Sequence, residues 1–375
     1  AVPLFVLVGN LMDFGGISKR LTDWAKSLLG WLPGGLGVVT VFSCAIFAAL
    51  TGSGPATVAA IGSIMLPPML KAGYSRETSA GLVAAAGALG PIIPPSIPMI
   101  IYGVTMNLSI PAMFVAGFVP GIVIALALAA VNIAFAFRDP EAIRQAETMK
   151  FDLKLSLKLF WKALGALGLP VLILGGIYGG IFTPTESAAV GIVYALIVGF
   201  ALRELKVKDL PRILISSLKT STMVNFIIAA ASLFSWVVAR SQIGTVISEG
   251  FISLVGGSQP LYLFVLVVIL LIVGCLMDNV AATLILAPIL IPIGIELGCN
   301  ELHIGMLFTI CLVVGFVTPP FGYNLFTAVS ISGLNFKHVV KGVIPFMLTE
   351  IVLLFVFAYV PGIITWLPRL MGYSY

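Results

Sequence analysis

Gly90-Pro91-Ile92-Ile93-Pro94-Pro95 returns 225 residues later as Gly315-Phe316-Val317-Thr318-Pro319-Pro320. Both stretches interrupt apolar runs of membrane-spanning length where a crossing helix should be continuous. The match extends in both directions, so that Gly54 to Pro120 lies on Asn279 to Pro345 without a gap. Pro67 falls on Pro292, Gly73 on Gly298, Gly117 on Gly342 and Pro120 on Pro345. Unpaired backbone inside a bilayer is tolerated only where it is buried in protein or lines a watery cavity. Interrupted hydrophobic segments at corresponding positions of two halves point to a transporter's binding site. The chain therefore reads as an all-α integral membrane protein built as a secondary transporter.

Composition agrees with that reading. Sixty per cent of the residues are hydrophobic and 9% are charged, against about 25% charged in an ordinary soluble domain. Mean hydropathy is +1.15. The 375 residues leave room for roughly ten membrane segments of about 20 residues each. The net charge of +5 is no sign of nucleic-acid binding, because the basic residues cluster. Six lie between Arg138 and Lys162 and five between Arg203 and Lys219, beside apolar runs, as cytoplasmic loops do. Cys44, Cys275, Cys299 and Cys311 lack metal-like spacing, so buried free thiols are expected. The chain begins at Ala1 inside an apolar stretch, which reads as a truncation with no visible signal peptide.

The expected order of elements follows from these runs. Residues 1–33 hold the end of a scaffold helix and an interface helix at 15–30, where Lys19, Arg20 and Lys26 alternate with Leu21, Trp24 and Leu28. Residues 34–110 form a first transport repeat: a re-entrant hairpin at 34–70, with arms near 34–50 and 55–70, then a broken helix at 77–107. At ~1.5 Å per residue each arm is short for a full crossing. Residues 111–260 supply scaffold helices and cytoplasmic connectors. These comprise a long helix at 111–137, a connector at 138–163, crossings near 164–181, 185–202 and 219–238, and a second interface helix at 241–256. Thr183-Pro184-Thr185-Glu186 reads as a capping box with Pro at the first helical position. Residues 261–335 repeat the plan, with a hairpin at 261–297 and a broken helix at 302–332. Residues 336–375 give a final scaffold helix, near 343–361, and a tail.

Charge tests this layout. With the first hairpin entered from the cytoplasm, 18 of the 20 Lys and Arg residues fall inside, and only Arg240 and Arg369 fall outside. The second hairpin is then entered from the opposite face, so the two copies form inverted repeats.

A hairpin tip and an unwound helix both free backbone carbonyls at membrane depth. Carbonyl and hydroxyl oxygens are hard donors suited to alkali cations. In the first copy the candidate donors are Ser53, the backbone around Gly52 and Gly54, and the carbonyls of Gly90, Ile93 and Pro95. In the second they are the backbone near Gly274, Gly315 and Pro320, with the Thr318 hydroxyl. Two copies imply two cation sites. The arms starting near Pro55 and Val280 turn positive helix ends towards a shared cavity. Ser96, Asp278, Asn279 and Arg240 are candidate substrate contacts. Each has a plainer role open to it: Ser53, Asp278 and Asn279 as N-caps, Thr318 as a local hydroxyl-to-carbonyl bond, Arg240 as an interfacial anchor. Glu350 lies inside a membrane helix, where a carboxylate needs a partner.

Gly52-Ser53-Gly54, Gly62-Ser63, Gly90-Pro91-Ile92-Ile93-Pro94-Pro95-Ser96, Phe182-Thr183-Pro184-Thr185-Glu186 and Thr318-Pro319-Pro320-Phe321-Gly322 together resemble one family. It is the large membrane subunit of tripartite ATP-independent periplasmic (TRAP) transporters, in the ion-transporter superfamily. The likeness runs from Ala1 to the last helix and lacks only the family's first helix. It implies an elevator mechanism, in which a domain holding both hairpins and both broken helices slides against a scaffold. It implies coupling to two or more Na⁺ ions, import of an organic acid across the bacterial inner membrane, and two partners: a small four-helix membrane subunit and a periplasmic substrate-binding protein. Sialic acid and C4-dicarboxylates are the substrate classes it brings, with a slight lean to sialic acid.

Three rivals bound this reading. A stand-alone Na⁺-coupled dicarboxylate or citrate symporter shares the hairpins and differs in needing no binding protein. An intramembrane serine hydrolase would need a base, and His303 and His338 lie at segment ends near opposite faces. A channel would typically need an oligomeric pore, whereas two related sites lie in this one chain.

Overall fold

A computed structural model describes residues 1–137, 151–240, 249–253 and 255–373, and among these the chain is helical throughout with no strand. Seven of the described helices are long and apolar enough to cross a membrane. Many carry large apolar side chains on their outer faces: Leu218, Phe226 and Leu233 of the 210–240 helix are 63%, 74% and 66% exposed. Apolar surface of that extent needs lipid or another chain to cover it.

Helices α1 (Val2–Phe14) and α2 (Ile17–Leu29) open the chain. On α2, Ile17, Leu21 and Ala25 recur every fourth residue and are fully buried, so one stripe faces inward while Lys19, Arg20 and Asp23 do not. The first hairpin is α3 (Gly35–Thr51) and α4 (Gly54–Lys71), separated by two residues and packed on each other. Helix α5 (Arg76–Ala86) continues as a tight 3-10 turn at Gly87–Leu89, breaks, and resumes as α6 (Ile97–Thr105). Helix α7 (Ile110–Ala136) follows.

The middle of the chain holds α8 (Leu153–Tyr178), α9 (Pro184–Ala201) and α10 (Leu210–Arg240). The capping box at the start of α9 is formed: Thr183 N–H and Oγ1 donate to Glu186 Oε2 at 2.8 and 2.9 Å, and Glu186 N–H donates to Thr183 Oγ1 at 3.3 Å. The second hairpin is α11 (Gln259–Leu276) and α12 (Asn279–Glu296). Then come α13 (Glu301–Val314), a 3-10 turn at Gly315–Val317, a break, α14 (Tyr323–Ser332), α15 (Phe336–Tyr359) and a short α16 (Gly362–Leu370).

Element bounds recur at the 225-residue spacing. Helices α4 and α12 start and end in register, α3 and α11 end in register, and α5 and α13 start in register. Both proline pairs, Pro94-Pro95 and Pro319-Pro320, have cis peptide bonds.

The two segments exchange partners. Helix α14, beyond the second break, packs on α4 of the first hairpin, and α6, beyond the first break, packs on α12 of the second. Helix α15 crosses α5 closely, since a methyl group added to Gly81 would fall on the backbone of Gly342. Small residues permit such approach in an apolar medium, where helices associate by packing rather than by expelling water.

Three expected boundaries move. Residues 153–163, assigned by charge to a connector, are helical: Asp152 caps α8 by accepting from the N–H groups of Lys154 and Leu155 at 2.9 and 3.2 Å. The crossing expected at 219–238 begins at Leu210, and the final helix expected at 343–361 begins at Phe336. The cause is common to all three. Lysine and arginine mark where a helix leaves the bilayer, not where the helix ends, because their long stems keep the charge in water while the backbone stays helical. Residues 362–370, read as tail, form α16, which packs on α7. The interface helix expected at 241–256 and the first part of the 138–163 connector fall largely on residues outside the described set.

Candidate functional site

The first hairpin tip is built by a glycine that ends one arm. Gly52 takes φ +61°, in the left-handed region, and Ser53 is extended before α4 starts at Gly54-Pro55. Thr57 Oγ1 donates to Ser53 O at 2.8 Å and clamps the turn. Ser53 Oγ makes no side-chain capping bond, so the plainer capping role is not realised here.

The broken helix meets this tip through glycine contacts. A methyl group on Gly52 would lie 2.7 Å from Pro95 O, and one on Gly90 would lie 2.5 Å from Ser53 O and 2.8 Å from Thr57 Oγ1. Within the break, Gly90 N–H donates to Gly87 O, while Ile92 and Ile93 N–H both donate to Leu89 O. The carbonyls of Gly90, Ile93 and Pro95 accept no backbone hydrogen bond among the described residues. Ser96, 1% exposed, is occupied locally: its hydroxyl donates to Pro91 O and accepts from Met99 N–H.

The second tip uses other side chains to the same end. Met277 is extended, and Asp278 Oδ1 accepts from Val280 N–H at 2.8 Å, capping α12. Asn279 is buried; its Oδ1 accepts from Thr283 Oγ1 at 3.2 Å and its Nδ2 has no partner. Gly274 and Gly315 touch backbone to backbone, since a methyl on Gly315 would overlap Gly274 and one on Gly274 would lie 2.9 Å from Leu312 O. Thr318 Oγ1 donates to Val314 O at 3.0 Å, and its lone pairs remain open. Gly315 O accepts from Thr318 N–H, whereas the carbonyls of Thr318, Pro319 and Pro320 accept no backbone bond among the described residues. The breaks also differ in exposure: Pro95 is buried and Pro320 exposed.

The structure thus brings Ser53, Gly54, Gly90 and Pro95 together at one tip, and Gly274 and Gly315 together at the other, where Asp278 and Asn279 open α12; Ile93, Thr318 and Pro320 lie within the two breaks. Arg240 stands apart at the exposed end of α10. Glu350 is 1% exposed with neither carboxylate oxygen hydrogen-bonded. The four cysteines are free and buried.

Each tip offers hard oxygens, and the second adds the Asp278 carboxylate to them. No group of three His, Cys, Asp or Glu side chains able to hold a metal exists among the described residues; carbonyl and hydroxyl oxygens of the kind found at the tips are hard donors, which alkali cations favour.

Several residues at the first tip escaped the sequence reading. A cavity of about 150 Å³ lies where α1 and α10 meet it, lined by Asn10, Asp13, Thr51, Ser53, Ile97 and Thr220 among others. Asn10 Nδ2 donates to Ser217 Oγ at 2.8 Å, joining α1 to α10. Asn10 and Asp13 were visible as polar residues within an apolar run, but nothing in the sequence brings them to residue 53.

Residues 1–363 match the family described as tripartite ATP-independent periplasmic transporter, DctM component. The chain is 39% identical over 376 residues to the C4-dicarboxylate TRAP transporter large permease protein DctM of Pseudomonas aeruginosa, covering 100% of this chain and 87% of that one. It is 40% identical over 364 residues to the isethionate TRAP transporter permease protein DctMQ of Oleidesulfovibrio alaskensis, covering 97% of this chain and 57% of that protein. Against the sialic acid TRAP transporter permease protein SiaT of Haemophilus influenzae, identity is 36% over 378 residues, covering 99% of this chain and 60% of the relative. These relatives are transporter permeases, and with seven helices of spanning length among the described residues the chain is a multi-pass membrane protein.

Proposed function

Because the chain belongs to the DctM-component family of TRAP transporters, we propose that it is the large subunit that carries an organic acid anion across the bacterial inner membrane with Na⁺. The observation that carries this reading is the pairing of each hairpin tip with a helix break that leaves some carbonyls without backbone partners, those of Gly90, Ile93 and Pro95 in one and of Thr318, Pro319 and Pro320 in the other. Na⁺ cotransported there is cargo, bound by Ser53 and the carbonyls of Gly90, Ile93 and Pro95 at one tip, and by Thr318 with the backbone of Gly274, Gly315 and Pro320 at the other. Two bound cations offset the charge of a carboxylate and draw it to the space between the tips, where the N-terminal ends of α4 and α12 add positive potential.

The two segments act as inverted repeats in this scheme. Support comes from the shared element bounds and from the exchanged packing of α6 and α14. Both hairpins and both broken helices form the unit that moves, and α1, α8, α9 and α10 belong to the scaffold it slides against. The cavity between α1, α10 and the first tip lies on that sliding surface. Its small size suits a compact acid group or one end of a larger substrate.

Partners follow from the family: a small membrane subunit that enlarges the scaffold, and a periplasmic binding protein that delivers the anion. C4-dicarboxylate, isethionate and sialic acid are named for relatives, and a member of that carboxylate and sulfonate group is the substrate proposed here. The test is reconstitution into liposomes with the small subunit and candidate binding proteins, scoring labelled acids. Uptake should appear only with both partners present. Robust uptake by the chain alone would favour a stand-alone symporter instead.

A further inference from the structure

Asn324 sits at the start of α14, beyond the second break, yet its side chain belongs to the first tip. It is fully buried. Its Nδ2 donates to Ala84 O of α5 at 3.0 Å. A carbonyl can only accept, so this bond fixes which way the amide faces. Asn324 Oδ1 is left buried with no hydrogen-bond partner. It faces the N-terminal turn of α4, where a methyl group on Gly54 would lie 2.7 Å away. A methyl on Gly87 would lie 3.2 Å from Nδ2 and 3.3 Å from Gly54 O. Two glycines therefore keep open the space into which the amide projects.

A buried acceptor without a donor is costly, and the first tip already gathers oxygens from Ser53, Thr57, Gly90 and Pro95 around Gly52 and Gly54. Resting on the cation reading above, we infer that Asn324 Oδ1 is a ligand of the cation at the first tip, so that the second half of the chain completes the first site. The alternative is a polar pin that only ties α14 to α5. A pin would use the Nδ2 end and leave the oxygen idle, which is the one state that burial penalises.

The assignment has a consequence for coupling. A cation held jointly by the first hairpin, the first break and α14 fixes the element that follows Thr318, Pro319 and Pro320. Filling the first site then orders the carbonyls of the second, and the two ions bind cooperatively rather than independently.

Thermal unfolding of the purified chain, titrated with Na⁺ at constant ionic strength against choline, tests this without a transport assay. The wild-type chain should be stabilised by Na⁺. Asn324→Ala should raise the Na⁺ midpoint about tenfold, as for loss of ~1.4 kcal/mol, and should flatten the titration. Asn324→Asp restores an oxygen and adds charge but loses the bond to Ala84. It should be less stable in choline, with a Na⁺ midpoint at or below the wild-type value. If both variants lose the same stability in Na⁺ and in choline, with an unchanged midpoint, Asn324 is a pin and the inference fails while the cation reading stands. Should Asn324→Ala not survive purification, a raised midpoint in Asn324→Asp overturns the inference by itself. Absence of any Na⁺ effect on the wild-type chain overturns both.

Discussion

Ser53→Ala separates a cation ligand from a helix cap, because the structure gives its hydroxyl no capping bond to lose. An N-cap serine replaced by alanine normally costs about 1 kcal/mol. Here Ser53 precedes α4 in extended geometry, but its side chain accepts from no backbone N–H, and Thr57 bonds to its carbonyl, which alanine keeps. Stability in choline should therefore be unchanged. Removing one oxygen of several around Na⁺ should cost on the order of 1 kcal/mol, about a fivefold rise in the Na⁺ midpoint. At a Na⁺ concentration about a hundred times the wild-type dissociation constant, binding stabilises by about 2.7 kcal/mol, and a fivefold weaker site leaves about 1.8. The variant should lose about a third of the Na⁺-dependent stabilisation that this site contributes and nothing else. Thr318→Val is the control at the other tip. It also removes a bond to Val314 O, so it should lose about 0.5–1.5 kcal/mol in choline as well. A Ser53→Ala chain less stable in choline, with the wild-type Na⁺ midpoint, would refute the ligand role and return Ser53 to capping.

Two further outcomes follow from the layout. Lys71 and Glu296 end α4 and α12 in register and are exposed; cysteines placed there, in a background without native cysteines, should label from opposite sides of the membrane, and same-side labelling would end the inverted-repeat reading. Asn132 of α7 donates to Gly34 O at the base of the first hairpin at 2.9 Å; Asn132→Ala should lower stability by about 1 kcal/mol equally in Na⁺ and choline, and a Na⁺-specific loss would place that contact in the ion machinery.

The sequence carried the broken helices and hairpin arms with unusual clarity. Gly52, Pro55, Gly90 and the two proline pairs act locally, through backbone geometry, so their effect is readable at their own positions. Helix ends marked by charge were misplaced, because Lys154, Lys158 and Lys162 respond to the bilayer boundary while the capping carboxylate of Asp152 sets where α8 starts. Among candidate site residues, those written into the repeated motif were legible. Asn324 and Asn10 were not. Asn324 reaches Ala84 across 240 residues and Asn10 reaches Ser217 across 207, and such contacts exist only once α14 has crossed to α4 and α1 has met α10. Asn324 also has no counterpart in the first segment, where Met99 stands at the matching position. The internal match that exposed the other candidate residues was blind to it.

Simultaneous counting of radiolabelled Na⁺ and radiolabelled substrate entering liposomes tests the central claim most directly. The vesicles would hold the chain with its small subunit, with a binding protein outside and an inward Na⁺ gradient. Two cation sites at the two breaks require at least two Na⁺ ions to enter with each organic anion, and the ratio should fall in Ser53→Ala and Thr318→Val. Substrate uptake that proceeds at the same rate with choline outside, carrying no Na⁺, would contradict the account.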